Sequence, residues 1–492
     1  MKYSLGIDVG TSSVKVSLLE IETGACVDSS TNPGTEAAII SVSRGWAEQD
    51  PESWWQYLCD GIKDISQRHS LKEVACIGIT YQMHGLVAVD SECRPVRNSI
   101  IWCDSRAVGI GEKAFEAMGK EKCMGSLLNS PGNFTASKLA WVKENEPQVY
   151  SRIWKFMLPG DYIAYRFSGK VSTTATGLSE GILWNFREQV PAGFVAEHFG
   201  IDASLFPGIV PSIGEQCRTS SYVEKLLGIP EGTPICYRAG DQPNNAFSLN
   251  VLEPGEVAAT AGTSGVVYGV TDVPAPDNLS RVNTFLHVNS RPEAVRLGIL
   301  LCINGTGILN SWIRRNAAPE LSYPQMNELS QTAPAGSDGL CVIPFGNGAE
   351  RMLGNRSSGA RFVGLDLVRH SRAHLVRAVH EGIAFSFIYG MEIMKGMGLN
   401  PGVIRAGQAN MFLSPVFRTT LATLSGATIE LFDTDGSLGA ARGGALGAGF
   451  YKNSAECFST LSKKQETLPQ EALTGPLEEA YGKWKEELEK VM

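Results

Sequence analysis

An α/β protein of two domains is what the sequence predicts, and three observations carry that prediction. At 492 residues the chain is longer than one hydrophobic core usually covers. Strand and helix signals alternate along it, as in α/β architectures. A β-turn-β pattern built on Gly-Thr-Ser occurs near the start of each half, at Gly10-Thr11-Ser12-Ser13 and at Gly262-Thr263-Ser264-Gly265. The repeat implies two similar domains facing each other, each offering a hairpin to a central cleft. Pro254 and Gly255 separate the halves, which places the division at 1–248 and 249–492.

Tyr3–Val9 is a strand, the glycine-marked turn comes next, and a second β-rich run covers 14–19, so the three read as a hairpin. Runs at 77–79 and 86–89 are strands around the polar segment Tyr81-Gln82-Met83-His84-Gly85, and 98–102 is a strand ending at Cys103-Asp104-Ser105-Arg106. Residues 138–146 are helical, and Leu158-Pro159-Gly160-Asp161-Tyr162 punctuates the stretch beyond them. The second hairpin pairs 258–261 with 266–270. Leu297–Ile303 is an apolar strand closed by Asn304-Gly305-Thr306-Gly307, and 372–397 is one or two helices with an apolar face at Leu375, Val379, Ile383 and Phe387. Small residues through 436–449 predict a helix packed closely on glycine and alanine. A last helix over 476–492 presents Glu479/Lys483 and Glu486/Lys490 at i, i+4.

Bulk properties exclude several classes. A formal net charge of −8 and the lack of any Lys/Arg-rich run exclude a nucleic-acid surface. No apolar stretch is long enough to span a bilayer, and the N-terminal run breaks at Asp8 before a signal-peptide core forms. The 11 cysteines stand singly, without Cys-x-x-Cys, which predicts reduced thiols. His370 and His374 have helical spacing but lack a third ligand. Together these predict a cytoplasmic enzyme with no membrane and no nucleic-acid partner. Neither Gly-x4-Gly-Lys-Ser/Thr nor Gly-x-Gly-x-x-Gly at a strand-to-helix turn is present. Any phosphate cradle must therefore come from elsewhere, and the hairpins offer converging N–H and hydroxyl donors with little bulk.

Residues 7–15, reading Ile-Asp-Val-Gly-Thr-Ser-Ser-Val-Lys, resemble the first phosphate loop of the actin-like (FGGY) sugar kinases, and Gly262-Thr263-Ser264-Gly265 resembles the second. Arg238-Ala239-Gly240-Asp241-Gln242 is similar to the family's Gly-Asp-Gln segment, whose aspartate is the catalytic base. Ala406-Gly407-Gln408-Ala409-Asn410 occupies the place of its adenosine loop, with Gln408 where a further glycine is usual. The motifs keep the family's order over residues 3–450. The resemblance implies two actin-like (ribonuclease H-like) domains flanking a cleft, ATP and Mg²⁺ as cofactors, a homodimer, and closure that excludes water. It implies Asp241 as base and as a metal ligand, with Asp8 holding Mg²⁺ beside the first turn. Thr11, Ser12, Ser13, Lys15, Gly262, Thr263 and Ser264 would meet phosphate, while Gly305, Gly307, Gly407 and Asn410 would complete the ATP site.

Gln82-Met83-His84-Gly85 resembles the xylulokinase branch of that family, where glycerol-specific members carry Gln-Arg-Glu. An imidazole both donates to and accepts from sugar hydroxyls, and Met83 makes an apolar wall. The run 45–55, Gly-Trp-Ala-Glu-Gln-Asp-Pro-Glu-Ser-Trp-Trp, agrees with the same branch, as do Trp102-Cys103-Asp104-Ser105-Arg106 and 129–138, Asn-Ser-Pro-Gly-Asn-Phe-Thr-Ala-Ser-Lys. The expected sugar contacts are Met83, His84, Asn133, Asp241, Gln242 and Trp102, and D-xylulose is the expected acceptor. Trp102, Asp104 and Arg106 stand equally well as an interdomain clamp. Asp-Gln-Pro-Asn-Asn in place of Asp-Asn-Ala-Ala leaves ribulose and sedoheptulose open as acceptors. Gln408 leaves open a non-catalytic sugar- or nucleotide-binding regulator, against which the presence of both Asp8 and Asp241 argues.

Overall fold

Tyr3–Val9 and Val14–Glu20 pair antiparallel with Val9 opposite Val14, and the turn between them closes on a 3.0 Å bond from the Gly10 N–H to the Ser13 carbonyl. Leu5, Ile7, Val14 and Val16 are fully buried, so the hairpin is held by its apolar residues rather than by its turn. Cys26–Asn32 adds a third antiparallel strand. Helix Pro51–Ser66 then carries the chain to Val74–Tyr81, which lies parallel to the first strand. Asp50 caps that helix by accepting the Glu52 N–H, and Pro51 sits in the first turn, where no N–H is missed. Pro234–Gly240 joins in parallel and Ile213–Arg218 closes a six-stranded sheet antiparallel.

The computed structural model describes residues 1–492, and the second sheet repeats the order of the first. Glu256–Ala261 and Gly265–Thr271 form its hairpin, and Leu297–Ile303 adds the third antiparallel strand. Val403–Gly407 and Thr428–Phe432 join in parallel, then Lys463–Thr467 as an antiparallel edge. The repeat seen in two Gly-Thr-Ser turns thus extends to whole sheets. Asn283–Leu286 lies beyond the repeat and makes this sheet seven-stranded. Its core gathers around the single helix Arg372–Lys395, where Val379, Ile383 and Phe387 are fully buried.

The chain divides into two units that interleave in sequence: Met1–Asn250, Phe285–Arg296 and Thr434–Leu461 in one, the remainder in the other. The segment from Thr434 brings helix Gly436–Gly447 onto the first unit's sheet. A β-carbon on Gly78 would fall 1.8 Å from the Ala440 carbonyl oxygen, and one on Gly6 would fall 1.9 Å from that of Ser437. Helix backbone therefore rests on strand backbone, the close packing that the small residues predict. Two local expectations shift. Pro159 opens helix Pro159–Ser168 instead of breaking the chain, because proline suits the first turn and the Asp161 carboxylate accepts the Leu158 N–H at 3.1 Å. The last helix runs Glu471–Glu489 with Pro476 inside it, and Lys490 pairs with Glu487 at 2.6 Å. No helix is long and apolar enough to cross a membrane.

Candidate active site

In the first unit, register brings three segments to one sheet edge. Val9 stands opposite Tyr81, and Tyr81 opposite Gly240, across three parallel strands. Asp8, Gln82 and Asp241 therefore emerge together at the carboxyl ends of those strands, where α/β sheets place ligands. Asp241 opens helix Asp241–Ser248, whose N-terminal dipole favours an anion. Burial and the nearby Asp8 charge nonetheless push its carboxyl from 3.8 to about 7. Burial and then Asp435 push Asp8 to about 6, with the Lys15 ammonium pulling the other way. A β-carbon on Gly436 would lie 2.3 Å from Asp8 Oδ2, so a side chain here would have to displace the Asp8 carboxylate.

Lys15 does not point from the turn as an unpaired cation, because its Nζ pairs with Asp435 Oδ2 at 2.7 Å. Burial opposes the charge of Asp435, but Lys15, the Leu438 N–H and the Ser437 hydroxyl hold its carboxyl below the usual range. The Thr11 hydroxyl donates to Gln82 Oε1 at 3.2 Å and accepts from Trp102 Nε1 at 2.9 Å. The Thr11 turn, the Gln82 loop and half-exposed Trp102 thus form one hydrogen-bonded chain. Ser12 and Ser13 occupy the tip of the turn, Ser12 exposed.

Met83 and Glu180 converge on Gly240. Met83 Cγ and Glu180 Oε2 each stand 2.6 Å from where a β-carbon on Gly240 would lie. His84 holds φ 61°, a conformation costing a β-carbon-bearing residue of order 1 kcal/mol. Its Nδ1 lies 2.9 Å from the Glu180 carbonyl and therefore carries the proton. The Asn133 amide donates to the Asp104 carbonyl, and its buried Oδ1 has no hydrogen-bond partner. Gln242 hydrogen-bonds the Asp241 carboxylate. The clamp expected of Trp102, Asp104 and Arg106 lies within the first unit for the two charged residues. Arg106 pairs with Asp104 and Glu48 at 2.7 Å each and covers the Trp46 ring at 3.9 Å.

Sequence reasoning missed Glu180 and Asp435. Burial first, and the Asp241 charge, push Glu180 well above the carboxylate range against a contact from Tyr81. Nothing in Leu178-Ser179-Glu180-Gly181 announces this, because the neighbours that matter are distant in the chain. Asp435 is legible as the cap of a helix, but its place beside Asp8 is not.

In the second unit, Gly262, Thr263, Gly307 and Asn410 line one cleft of about 780 Å³, large enough for a nucleotide. The Gly307 N–H binds the Gly262 carbonyl at 2.9 Å, joining the turn to helix Gly307–Ala317. Asn410 adopts φ 54°. Ser264, Gly305 and Gly407 do not line this cleft; Gly305 instead gives its N–H to buried Glu350 at 3.0 Å. Arg315 and Tyr323 line it and were missed, although Gly307, Ser311 and Arg315 recur every four residues along one helix face. Buried His380 fixes the wall by bonding Asn310 Oδ1 at 3.1 Å and the Ser414 hydroxyl at 2.9 Å.

Residues 3–248, half of the chain, match the N-terminal domain of the FGGY family of carbohydrate kinases. The chain belongs to that family and is a carbohydrate kinase that uses ATP. It is 28% identical over 472 residues to the xylulose kinase of Bacillus subtilis (strain 168), covering 93% of this chain and 90% of that one. It is 28% identical over 483 residues to the xylulose kinase of Escherichia coli (strain K12), covering 94% of each. The crystal structure of ligand-bound xylulose kinase from Lactobacillus acidophilus superposes with a TM-score of 0.89 at 24% identity, covering 100% of this chain and 98% of that chain. That likeness shows the fold, two actin-like ATPase units.

Proposed function

We propose that this kinase transfers the terminal phosphate of Mg·ATP to a terminal hydroxyl of D-xylulose, giving D-xylulose 5-phosphate. The observation that carries the reading is the pair Asp8 and Asp241 at one sheet edge beside Met83 and His84. The names of the relatives at 28% identity point to the same acceptor. In this reading residues 1–248 bind sugar and carry the first phosphate loop, and 249–492 bind nucleotide. Asp241 takes the proton of the attacking hydroxyl, and Gln242 orients its carboxylate. His84 and Asn133 meet sugar hydroxyls, and Met83 with Trp102 supplies apolar walls. The turns at Thr11–Ser13 and at 262–264 face phosphate through backbone N–H groups.

The acidic pair also fits Mg²⁺. Two buried carboxylates, Asp241 raised in part by the charge of Asp8, are an all-oxygen, hard donor set. No third acidic, His or Cys ligand joins them, which suits an ion that keeps waters and substrate phosphate oxygens as ligands. Bound there, Mg²⁺ would neutralise charge on the transferring phosphate. The reading includes a cytoplasmic setting and a homodimer, the latter checked by solution mass from light scattering.

ADP release with Mg·ATP against D-xylulose, L- and D-ribulose, sedoheptulose and glycerol tests the reading. Turnover selective for D-xylulose supports it, preference for another ketose overturns the acceptor, and no turnover with any sugar overturns catalysis. Because protonated Asp241 cannot accept a proton, kcat/KM should fall as pH drops below about 7. A pH profile whose acid limb lies near the ordinary carboxylate value would contradict that environment. Tyr323→Ala should raise KM for ATP about tenfold, through lost stacking, and leave the sugar KM unchanged. Initial-rate kinetics in both substrates check it.

A further inference from the structure

The segment 129–138 resembles its family counterpart, yet its last residue has no part in the chemistry above. Lys138 is fully buried, and its Nζ donates to the His84 carbonyl at 2.8 Å and to the Ile101 carbonyl at 3.0 Å. Both acceptors border the sugar contacts. His84 needs support, since its left-handed backbone is disfavoured for any residue with a β-carbon. Ile101 immediately precedes Trp102, whose indole reaches the Thr11 turn.

The start of helix Thr135–Asn145 reaches the same loop. The Thr135 hydroxyl donates to the Gly85 carbonyl at 3.3 Å, and the Phe134 ring meets the His84 imidazole edge-on at 4.8 Å. Thr135 and Lys138 are three apart and share a helix face, so one turn grips residues 84 and 85 from one side. Lysine suits the junction because a compact head with three N–H donors satisfies two converging carbonyls. An apolar side chain of equal length would take this donor from both carbonyls, Ile101 keeping the Asp104 N–H at 3.2 Å. Burial pushes the Lys138 ammonium down to about 7, with Asp104 pulling against it. The residue is therefore held where its charge is disfavoured, and its hydrogen bonds are what it contributes.

We propose that Lys138 is the positioning residue of the acceptor sugar, locking the His84 turn and tying it to the strand end at Ile101 and Trp102. The inference rests on the reading of His84 as a sugar contact. Full-length Lys138→Met, Lys138→Gln, His84→Ala and the His84→Ala/Lys138→Met double variant are compared by initial-rate kinetics in Mg·ATP and D-xylulose. Lys138→Met is expected to raise the sugar KM at least about tenfold and leave the ATP KM within about twofold. Lys138→Gln, which keeps one donor group, should fall between it and wild type. In the double variant the sugar KM should match His84→Ala alone within about twofold, because both changes remove one interaction.

An unchanged sugar KM in folded Lys138→Met overturns the proposal. So do KM values that rise together for both substrates, or additive losses in the double variant. Should Lys138→Met fail to fold, Lys138→Gln decides by the same split between the two KM values. A wild type that prefers another ketose overturns the acceptor but leaves this proposal standing, with the split measured on that ketose. A wild type inactive on every ketose overturns both.

Discussion

Asp241→Asn is expected to lower kcat about a thousandfold while leaving sugar affinity within a few fold. Asparagine keeps the size and the hydrogen bond to Gln242 but cannot take a proton from the attacking hydroxyl. The substitution also removes a carboxylate whose charge is disfavoured by burial and by Asp8, so the fold should not suffer. That combination separates a lost base from a damaged protein. ADP release measures the first half and calorimetric titration with D-xylulose the second. A variant that keeps more than a tenth of the wild-type kcat would remove Asp241 from the role of base.

Gly78→Ala, a change of one methyl group, is expected to cost more than about 3 kcal/mol, and to lower Tm by at least about 3 to 5 °C. The added carbon would fall 1.8 Å from the Ala440 carbonyl oxygen and near the Gly444 backbone, both main-chain groups that cannot rotate away. Strand propensity favours alanine over glycine at such a position, so the sign of the measured effect decides between local preference and packing. The loss also has a functional reading. Helix Gly436–Gly447 begins at the residue against Asp8, and its cap Asp435 holds Lys15. Lifting that helix should impair catalysis in whatever fraction stays folded. Chemical denaturation monitored by far-UV circular dichroism checks the stability. An unchanged midpoint would mean the helix does not lie on the strand as described.

What could be read without the fold was what neighbours in the chain encode. The hairpin at Tyr3–Val9 and its counterpart at Glu256–Ala261 were legible because alternating apolar residues and a glycine-marked turn are local signals. Asp8, Asp241, Met83 and His84 were legible because each sits within a short run that resembles the family's motif. Lys15 was legible as a cation near the turn but not as the partner of Asp435, which lies 420 residues away. Asp104 and Arg106 were found, but their use as a clamp on Glu48 and Trp46 was not.

By itself the sequence determined the two α/β units, the doubled hairpin, the acidic pair and the loop proposed to meet the sugar. Only the tertiary structure decided that helix Gly436–Gly447 belongs beside Asp8, that Glu180 shares Gly240 with Met83, and that Lys138 holds the His84 turn. The physical reason is one of range. Turn, cap and strand preferences act between residues a few positions apart, and so leave a pattern in the chain. Burial, charge repulsion and backbone-on-backbone packing act between segments that only folding brings together. Glycine at 78 and lysine at 138 show their purpose once those partners are in place.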